Sequence, residues 1–553
     1  MSLKMTFHPA ILGISCGTGI GPGPRRQGVR GRAIGDGRVE IERGVRLSRA
    51  AFWGWQADEF ARKGPAAWSG AVPFYVTSNP FIADRYARLI HSYLLDLARQ
   101  GYSGGRVPIF ELGAGSGQFG FYCVKRLAEL CEAAPTGLQP LYVMTDIAEA
   151  NVDFWASHPD LSRYIDAGIL DLACFDIDRP APLTLRASGE VLDAGQPSAG
   201  AVCIANYVFD SMRQDVFHVK DGRIFEQLVT TTAPAGQVTE GEPVGLRQLE
   251  FSFTRVPAPA GGIYPVPLWN EIVGSYAEDP SLNGAFVFPV AMLSALDFLQ
   301  RLGGGRLMLI ASDKGYQDAS EIAGRTPPLM TPDGDFIFSQ VNFDAIRRFV
   351  ERCGGTAFHG AAEVNSLRSG VYLLGGDQAS YPQAATAIAA LIQDFGPGDY
   401  YNLYLHHCDG GELNLATMIS SLRLSGWDPH LLSVLSDRLY PLIEKANWRR
   451  RAALQAGLSQ AEALIYRRPG MKDYHFDIGL LRQGLQDDAG ALRSFEHSVA
   501  SAGETSAKCY HMGLALKELG DYAGAITRFE RAQALDAENV NAGAQIEALR
   551  KLL

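Results

Sequence analysis

Residues 107–120 read V-P-I-F-E-L-G-A-G-S-G-Q-F-G, and this stretch decides the fold of the 553-residue chain. Val107, Ile109 and Phe110 make a short apolar run suited to a buried strand, closed by Glu111 and then by Gly113, Gly115 and Gly117. Beyond the glycines, residues 121–131 carry helical spacing, with Val124, Leu127 and Leu130 on one face. Strand, glycine turn and helix form the first crossover of a doubly wound α/β domain, whose turn lets a nucleotide approach the backbone closely.

Two templates fit this turn. Gly115-x-Gly117-x-x-Gly120 satisfies the dinucleotide pattern, in which amides at a helix start hold a pyrophosphate. The string also resembles the E/D-x-G-x-G-x-G turn of class I S-adenosylmethionine-dependent methyltransferases. That cofactor carries no pyrophosphate, and an acid at the strand end suits its cationic methionine part. Glu111 therefore favours the methyltransferase, with a glycine turn that binds nothing as the bland alternative.

Further strands extend the pattern on the C-terminal side. Residues 141–144 end at Asp146, placed to accept hydrogen bonds from ribose hydroxyls. Asp146 lies 29 residues after Gly117, beyond the usual ~20, which implies an enlarged first helix or loop. A third strand, 169–175, ends at Asp176, where such folds contact adenine, and a fourth, 201–205, leads into Asn206-Tyr-Val-Phe-Asp210. Residues 216–229 read as a hairpin around Asp221-Gly222. A Pro/Gly-rich insertion with one apolar helix follows over 230–305, then strands at 306–311 and 370–374 and a helix at 343–350. Before the turn, Asn79-Pro80 starts a helix with a strong apolar face, from Phe81 and Ile82 through Tyr86 to Leu97.

Composition sets outer bounds. The length predicts two to four domains at roughly 150 residues each. A net charge of -10 argues against nucleic acid or anionic lipid as a general partner, and no apolar run reaches the ~18 residues of a membrane span. Eight scattered cysteines with no C-x-x-C pair suit reduced thiols in a cytoplasmic protein, not a disulfide framework or zinc site. Residues 1–50 read as a flexible basic leader, with Arg25, Arg26, Arg30 and Arg32 close together. His406-His407-Cys408-Asp409 is metal-like in composition only.

The last eighty residues repeat. Gly479, Ala491 and Phe495 recur 34 positions later as Gly513, Ala525 and Phe529, and Leu485 and Asp487 recur as Leu519 and Asp521. A 34-residue period of helix pairs is the tetratricopeptide signature, in which small residues let two helices pack closely. A further, degenerate unit is expected within 431–467, because two repeats alone are short of a stable array.

The fourth-strand segment resembles a named family. Ile204-Ala-Asn-Tyr-Val-Phe-Asp210-Ser-Met-Arg-Gln-Asp-Val-Phe217 is similar to the A-N-E-x-x-D-A-L-P-V-x-x-F motif of MidA-type methyltransferases. That family includes the mitochondrial complex I assembly factor that symmetrically dimethylates an arginine. Three other stretches agree in order: Phe74-Tyr-Val-Thr-Ser78 with F-Y-T-S, Leu309-Ile-Ala-Ser-Asp313-Lys-Gly315-Tyr316 with I-D-Y-G, and 335–343 with D-I-T-x-x-V-D-F. The resemblance implies contacts to S-adenosyl-L-methionine from Glu111, Gly113, Gly115, Gly117, Asp146, Asp176 and Ser78. It places Asn206, Tyr207 and Asp210 by the transferred methyl. Tyr207 and Phe286 stand where family members carry acids, which weakens a guanidinium site and makes methyl transfer firmer than arginine as acceptor.

The expected architecture is a class I methyltransferase Rossmann-like domain over 51–380, with an inserted substrate-cleft segment at about 218–305. A helical extension follows at 381–470, then tetratricopeptide repeats at 471–553 whose groove recruits a protein substrate. Two alternatives stand beside it: a small-molecule O- or N-methyltransferase with the repeats serving a homodimer, and a non-catalytic assembly protein with a vestigial cofactor site.

Overall fold

The computed structural model describes residues 32–34, 37–65, 75–194, 198–239, 242–327, 330–333, 336–360, 367–410 and 413–552. Seven strands form the main path of an eight-stranded central sheet, β1 (Arg106–Leu112), β2 (Gln139–Asp146), β3 (Leu170–Cys174), β4 (Ala201–Asn206), β5 (Leu307–Tyr316), β6 (Thr356–His359) and β7 (Leu367–Leu374), and the short strand Val341–Asn342 pairs with the end of β5. Their order is β3-β2-β1-β4-β5-β7-β6. Strands β1 to β5 pair in parallel, and β7 runs antiparallel to both β5 and β6. This is the class I methyltransferase sheet. Its order reverses between β1 and β4, and the crevice outside the strand ends at such a switch point is where these folds bind ligands.

Alternation explains the two cores. Val107 and Ile109 of β1 face helices α2 (Pro80–Arg99) and α3 (Gln118–Ala133), while Phe110 and Leu112 face the helices Val290–Leu302 and Phe343–Arg352. Asn79 caps α2 by accepting from the Ile82 amide (3.0 Å), with Pro80 in the first turn. Ile82, Tyr86, Leu89, Ile90, Leu94 and Leu97 of this helix are fully buried, each such aliphatic side chain contributing about 2 kcal/mol.

Two expectations need correction. The leader does not extend to residue 50: Arg38–Val45 is a strand whose register aligns Val39 with Ala233, and helix α1 (Phe52–Lys63) follows soon after. Its V-x-I alternation is masked by interleaved Arg and Glu. Residues 1–31 lie outside the described residues. The stretch 230–305 is also more regular than its Pro and Gly content suggests. Asp215–Lys220, Arg223–Pro234, Glu250–Pro257 and Gly284–Phe288 join Arg38–Val45 and Arg32–Ile34 in a six-stranded antiparallel sheet. Its hairpin turns at Asp221 and Gly222, both at positive φ.

The C-terminal part is helical: α4 (Trp448–Glu462), α5 (Tyr474–Gly484), α6 (Asp488–Ala502), α7 (Ser506–Glu518), α8 (Tyr522–Leu535) and α9 (Val540–Arg550). A Cβ on Gly479 would lie 2.4 Å from the Phe495 ring, and one on Gly513 would lie 2.6 Å from the Phe529 ring. That contact is the reason for the 34-residue recurrence. Asp487 and Asp521 cap the second helix of each pair. The preceding pair, Pro429–Ile443 and α4, is not a third unit of that period, since first helices begin at 429 and 474. No helix among the described residues is long and apolar enough to cross a membrane.

Candidate active site

The glycine turn leaves β1 with Gly113, Gly115 and Gly117 at φ of 60°, 55° and 79°, a left-handed path that L side chains resist. Asp146, the last residue of β2, holds the turn: its Oδ2 accepts from the Gly115 amide (3.1 Å) and its Oδ1 from the Ala148 amide (3.0 Å). Burial raises the Asp146 pKa, and these amides oppose the shift. Gly113 and Asp146 open onto a cleft of about 1010 Å³, its solvent included, at the carboxyl ends of β1 to β4. Asp176, Ile177, Tyr207 and Asp210 line its other sides.

Glu111 is not on the cleft wall. It shares the parity of Val107 and Ile109, so its side chain enters the core under α3, where Tyr142 Oη donates to its Oε2 (3.0 Å). Burial pushes its pKa to about 8, with Tyr142 opposing and nearby Asp146 adding to the rise. A Cβ on Gly120 would stand 2.6 Å from the same oxygen. The acid and the last glycine of the motif thus serve each other: Gly120 makes room for a buried carboxyl that supports the turn from below.

The segment after β4 divides. Asn206 turns toward α2, accepting from Tyr86 Oη (3.0 Å), which also contacts Ser312 Oγ (2.9 Å). Tyr207 lines the cleft at φ 53°, its amide bonded to the Ser312 carbonyl (2.9 Å). A non-glycine residue in that region costs about 1–2 kcal/mol, a strain that concentrates at functional sites. Asp210 is buried on the wall, and its Oδ1 has no hydrogen-bond partner. Burial and the adjacent Asp313 carboxyl raise its pKa strongly. Asp313 accepts the backbone amides of Asp210 (3.2 Å) and Lys314 (2.8 Å), and burial raises it too. Two buried carboxyls in contact disfavour ionising together, so each holds its proton more tightly than a free carboxyl.

Ser78 sits in the turn before α2, off the cleft wall. Phe286 packs against Phe217 and Tyr276 in the second sheet, so the missing acid there leaves no gap. Sequence reasoning missed the roof. Trp53, Gln56, Ala57 and Phe60 of α1 cover the cleft with Phe338, and none of the described residues of 218–305 lines it. Gln56 Oε1 accepts the Ile337 amide (2.7 Å), and Phe60 stacks on Phe336 at 4.1 Å, fixing the roof in place. Asp313 was legible only as part of the S-D-K-G stretch.

A strap from the helical part reaches the outer side of the turn. After α4, Tyr466 Oη donates to the Ser116 carbonyl (2.9 Å), and Arg468 Nε donates to Gln118 Oε1 (2.8 Å). The Tyr466 ring stacks on His158 at 4.2 Å, and His158 Nε2 donates to the Arg467 carbonyl (2.6 Å). A Cβ on Gly117 would meet Tyr466 Oη at 2.7 Å.

No known family profile matches the chain, and no curated protein sequence does. Among solved structures, an uncharacterized protein from Burkholderia thailandensis is 16% identical over 56% of this chain and 79% of its own, with a TM-score of 0.29. A second protein of the same superfamily from that organism, described as a candidate methyl transferase bound to S-adenosyl-homocysteine, is 15% identical over 56% and 80%, TM-score 0.32. A tetratricopeptide protein from Thermus thermophilus is 18% identical over 32% of this chain and 92% of its own, TM-score 0.22. At such scores the fold rests on the strand order, not on these likenesses.

Proposed function

We propose that the chain is an S-adenosylmethionine-dependent methyltransferase of MidA-like type whose acceptor is a nitrogen of a protein side chain, arginine being the leading case. The observation that carries this reading is the buried, unpartnered Oδ1 of Asp210 on the wall of the glycine-turn cleft. A buried carboxyl oxygen without a donor is costly, and an entering N–H group would satisfy it.

The residues fit the cofactor. Gly113 and Asp146 line the cleft side by side, and Asp176 lines it just past the next strand end. When bound, S-adenosylmethionine supplies an electrophilic methyl group on a sulfonium. The chain itself has three tasks. The α1 roof excludes water, Tyr207 and Asp210 orient the acceptor, and the Asp210–Asp313 pair, whose pKa values burial raises, takes up the proton the nitrogen gives up. The repeats are read as the recruiting surface for the protein acceptor.

The test is transfer of a tritiated methyl group to proteins of a host lysate, with Gly113→Arg as the blank and cofactor binding followed by calorimetry. A labelled band that the variant loses supports the reading. Cofactor binding with label only in small molecules moves the acceptor to that class, and absence of any binding heat overturns the enzyme reading in favour of an assembly protein.

A further inference from the structure

Away from the cleft, three side chains converge from three helices: Glu462 ends α4, His475 lies in the first turn of α5, and His497 is on α6. The Nδ1 atoms of His475 and His497 stand 3.7 and 3.6 Å from Glu462 Oε1, and the three ligand atoms all lie within 4.8 Å of one another. These separations exceed hydrogen-bond reach, and the buried Nδ1 of His475 has no hydrogen-bond partner. They match the edge of a coordination tetrahedron, since ligands ~2.1 Å from a zinc ion stand roughly 3.4 Å apart.

The surroundings fit such an ion. The two ring centroids are 5.2 Å apart with the planes at 65°, and the His497 side chain is 60% exposed, which leaves one side open for a water ligand. Ser494 Oγ donates to Glu462 Oε1 (3.0 Å) and Arg482 Nη2 donates to Oε2 (2.8 Å). These contacts orient the carboxylate as outer-shell groups do around metal ligands. Arg482 repels a cation, but it engages the oxygen turned away from the histidines.

We propose that Glu462, His475 and His497 form a binding site for a borderline divalent cation of the zinc type, the class preferred by mixed imidazole and carboxylate ligands. The site fastens α4, which leads directly into the strap on the glycine turn, to the first repeat. It stands independently of the methyltransferase reading.

The experiment uses the full chain without a histidine tag, stripped by chelation and titrated with ZnCl2 and CoCl2. Expected are saturable binding of one ion per chain, a visible cobalt spectrum of low coordination number, and a raised melting temperature with zinc. His497→Ala, at an exposed position, and His475→Ala each weaken binding by at least about 10-fold and abolish the melting shift. No saturable binding, or binding that survives both substitutions unchanged, overturns the site.

Discussion

In the cleft domain Glu111, Asp146, Asp210 and Asp313 are buried, and none forms an ion pair among the described residues. In the helical part, Glu462 and Asp473 are also largely buried, but Arg482 Nη2 and Lys508 Nζ each sit 2.8 Å away. On the first set burial outweighs what opposes it, the Lys314 charge near Asp210 included, and raises every pKa. In the second set burial is outweighed: contact with His475 and the Arg482 charge bring Glu462 to about 2, and Lys508 with Ser498 lowers Asp473. The helical part sets a cation beside each of these buried acids. On the cleft wall Asp178 pairs with Arg213, whereas Asp146 and Asp210 have no ion pair, which suits the charged cofactor and polar acceptor proposed above.

The largest test of that contrast is Glu111→Gln, which mimics the protonated acid. With a folded pKa of about 8 against an ordinary 4.5, the folded carboxyl keeps its proton over that range while the unfolded one loses it. Stability therefore falls as pH rises from 4.5 to 8, by about 1.4 kcal/mol per unit at most. Urea unfolding should show the variant gaining on the parent across this window and matching it below; parallel curves would sink the uncompensated-acid view of the cleft. Next in size is Gly113→Arg, which fills the cleft floor and should weaken S-adenosylmethionine binding by at least 100-fold, about 2.7 kcal/mol, with an unchanged circular dichroism spectrum. Asp210→Asn keeps the shape but removes one carboxyl of the Asp210–Asp313 pair. It should cut kcat about 100-fold while cofactor affinity holds, and a loss confined to cofactor affinity would remove Asp210 from the chemistry.

How much of this was legible follows from which interactions are local. The strand, glycine turn and helix at 107–131, the acids at the ends of β2 and β3, and the 34-residue recurrence are short-range signals, and each names its element. Glu111 was legible as an acid at a strand end but not as a core residue, because its face depends on which side α3 covers. The roof from α1 and the pairing of Arg38–Val45 with Arg223–Pro234 join positions far apart in sequence, and no pattern within either segment announces the other. The same holds for Glu462, His475 and His497, whose spacing matches no metal motif, whereas His406-His407-Cys408-Asp409 looked metal-like and falls at the end of an ordinary helix.

On the compensated side the expected effect is smaller and purely structural. Lys508 is 7% exposed and bonds Asp473 and the Gly503 carbonyl. Lys508→Met should cost about 2 kcal/mol of stability in denaturant titration, with cofactor affinity unchanged, which a shift in Kd would contradict.

The smallest effect is the most informative, because it asks whether the two regions are separate. Tyr466 belongs to the helical part by sequence, yet its hydroxyl bonds the Ser116 carbonyl within the glycine turn and lies where a side chain on Gly117 would be. Tyr466→Phe deletes that one hydrogen bond and keeps the ring on His158. If the strap only anchors the domains, melting falls slightly and cofactor binding does not move. If it sets the curvature of the turn, the Kd for S-adenosylmethionine rises about fivefold, roughly 1 kcal/mol, while kcat at saturation is unchanged, because Tyr466 does not reach the cleft wall. The second outcome is expected, since Asp146 and Trp155 both bond Gly115 while the Tyr466 hydroxyl bonds the next residue, Ser116, so its loss loosens the end of the turn that leads into α3.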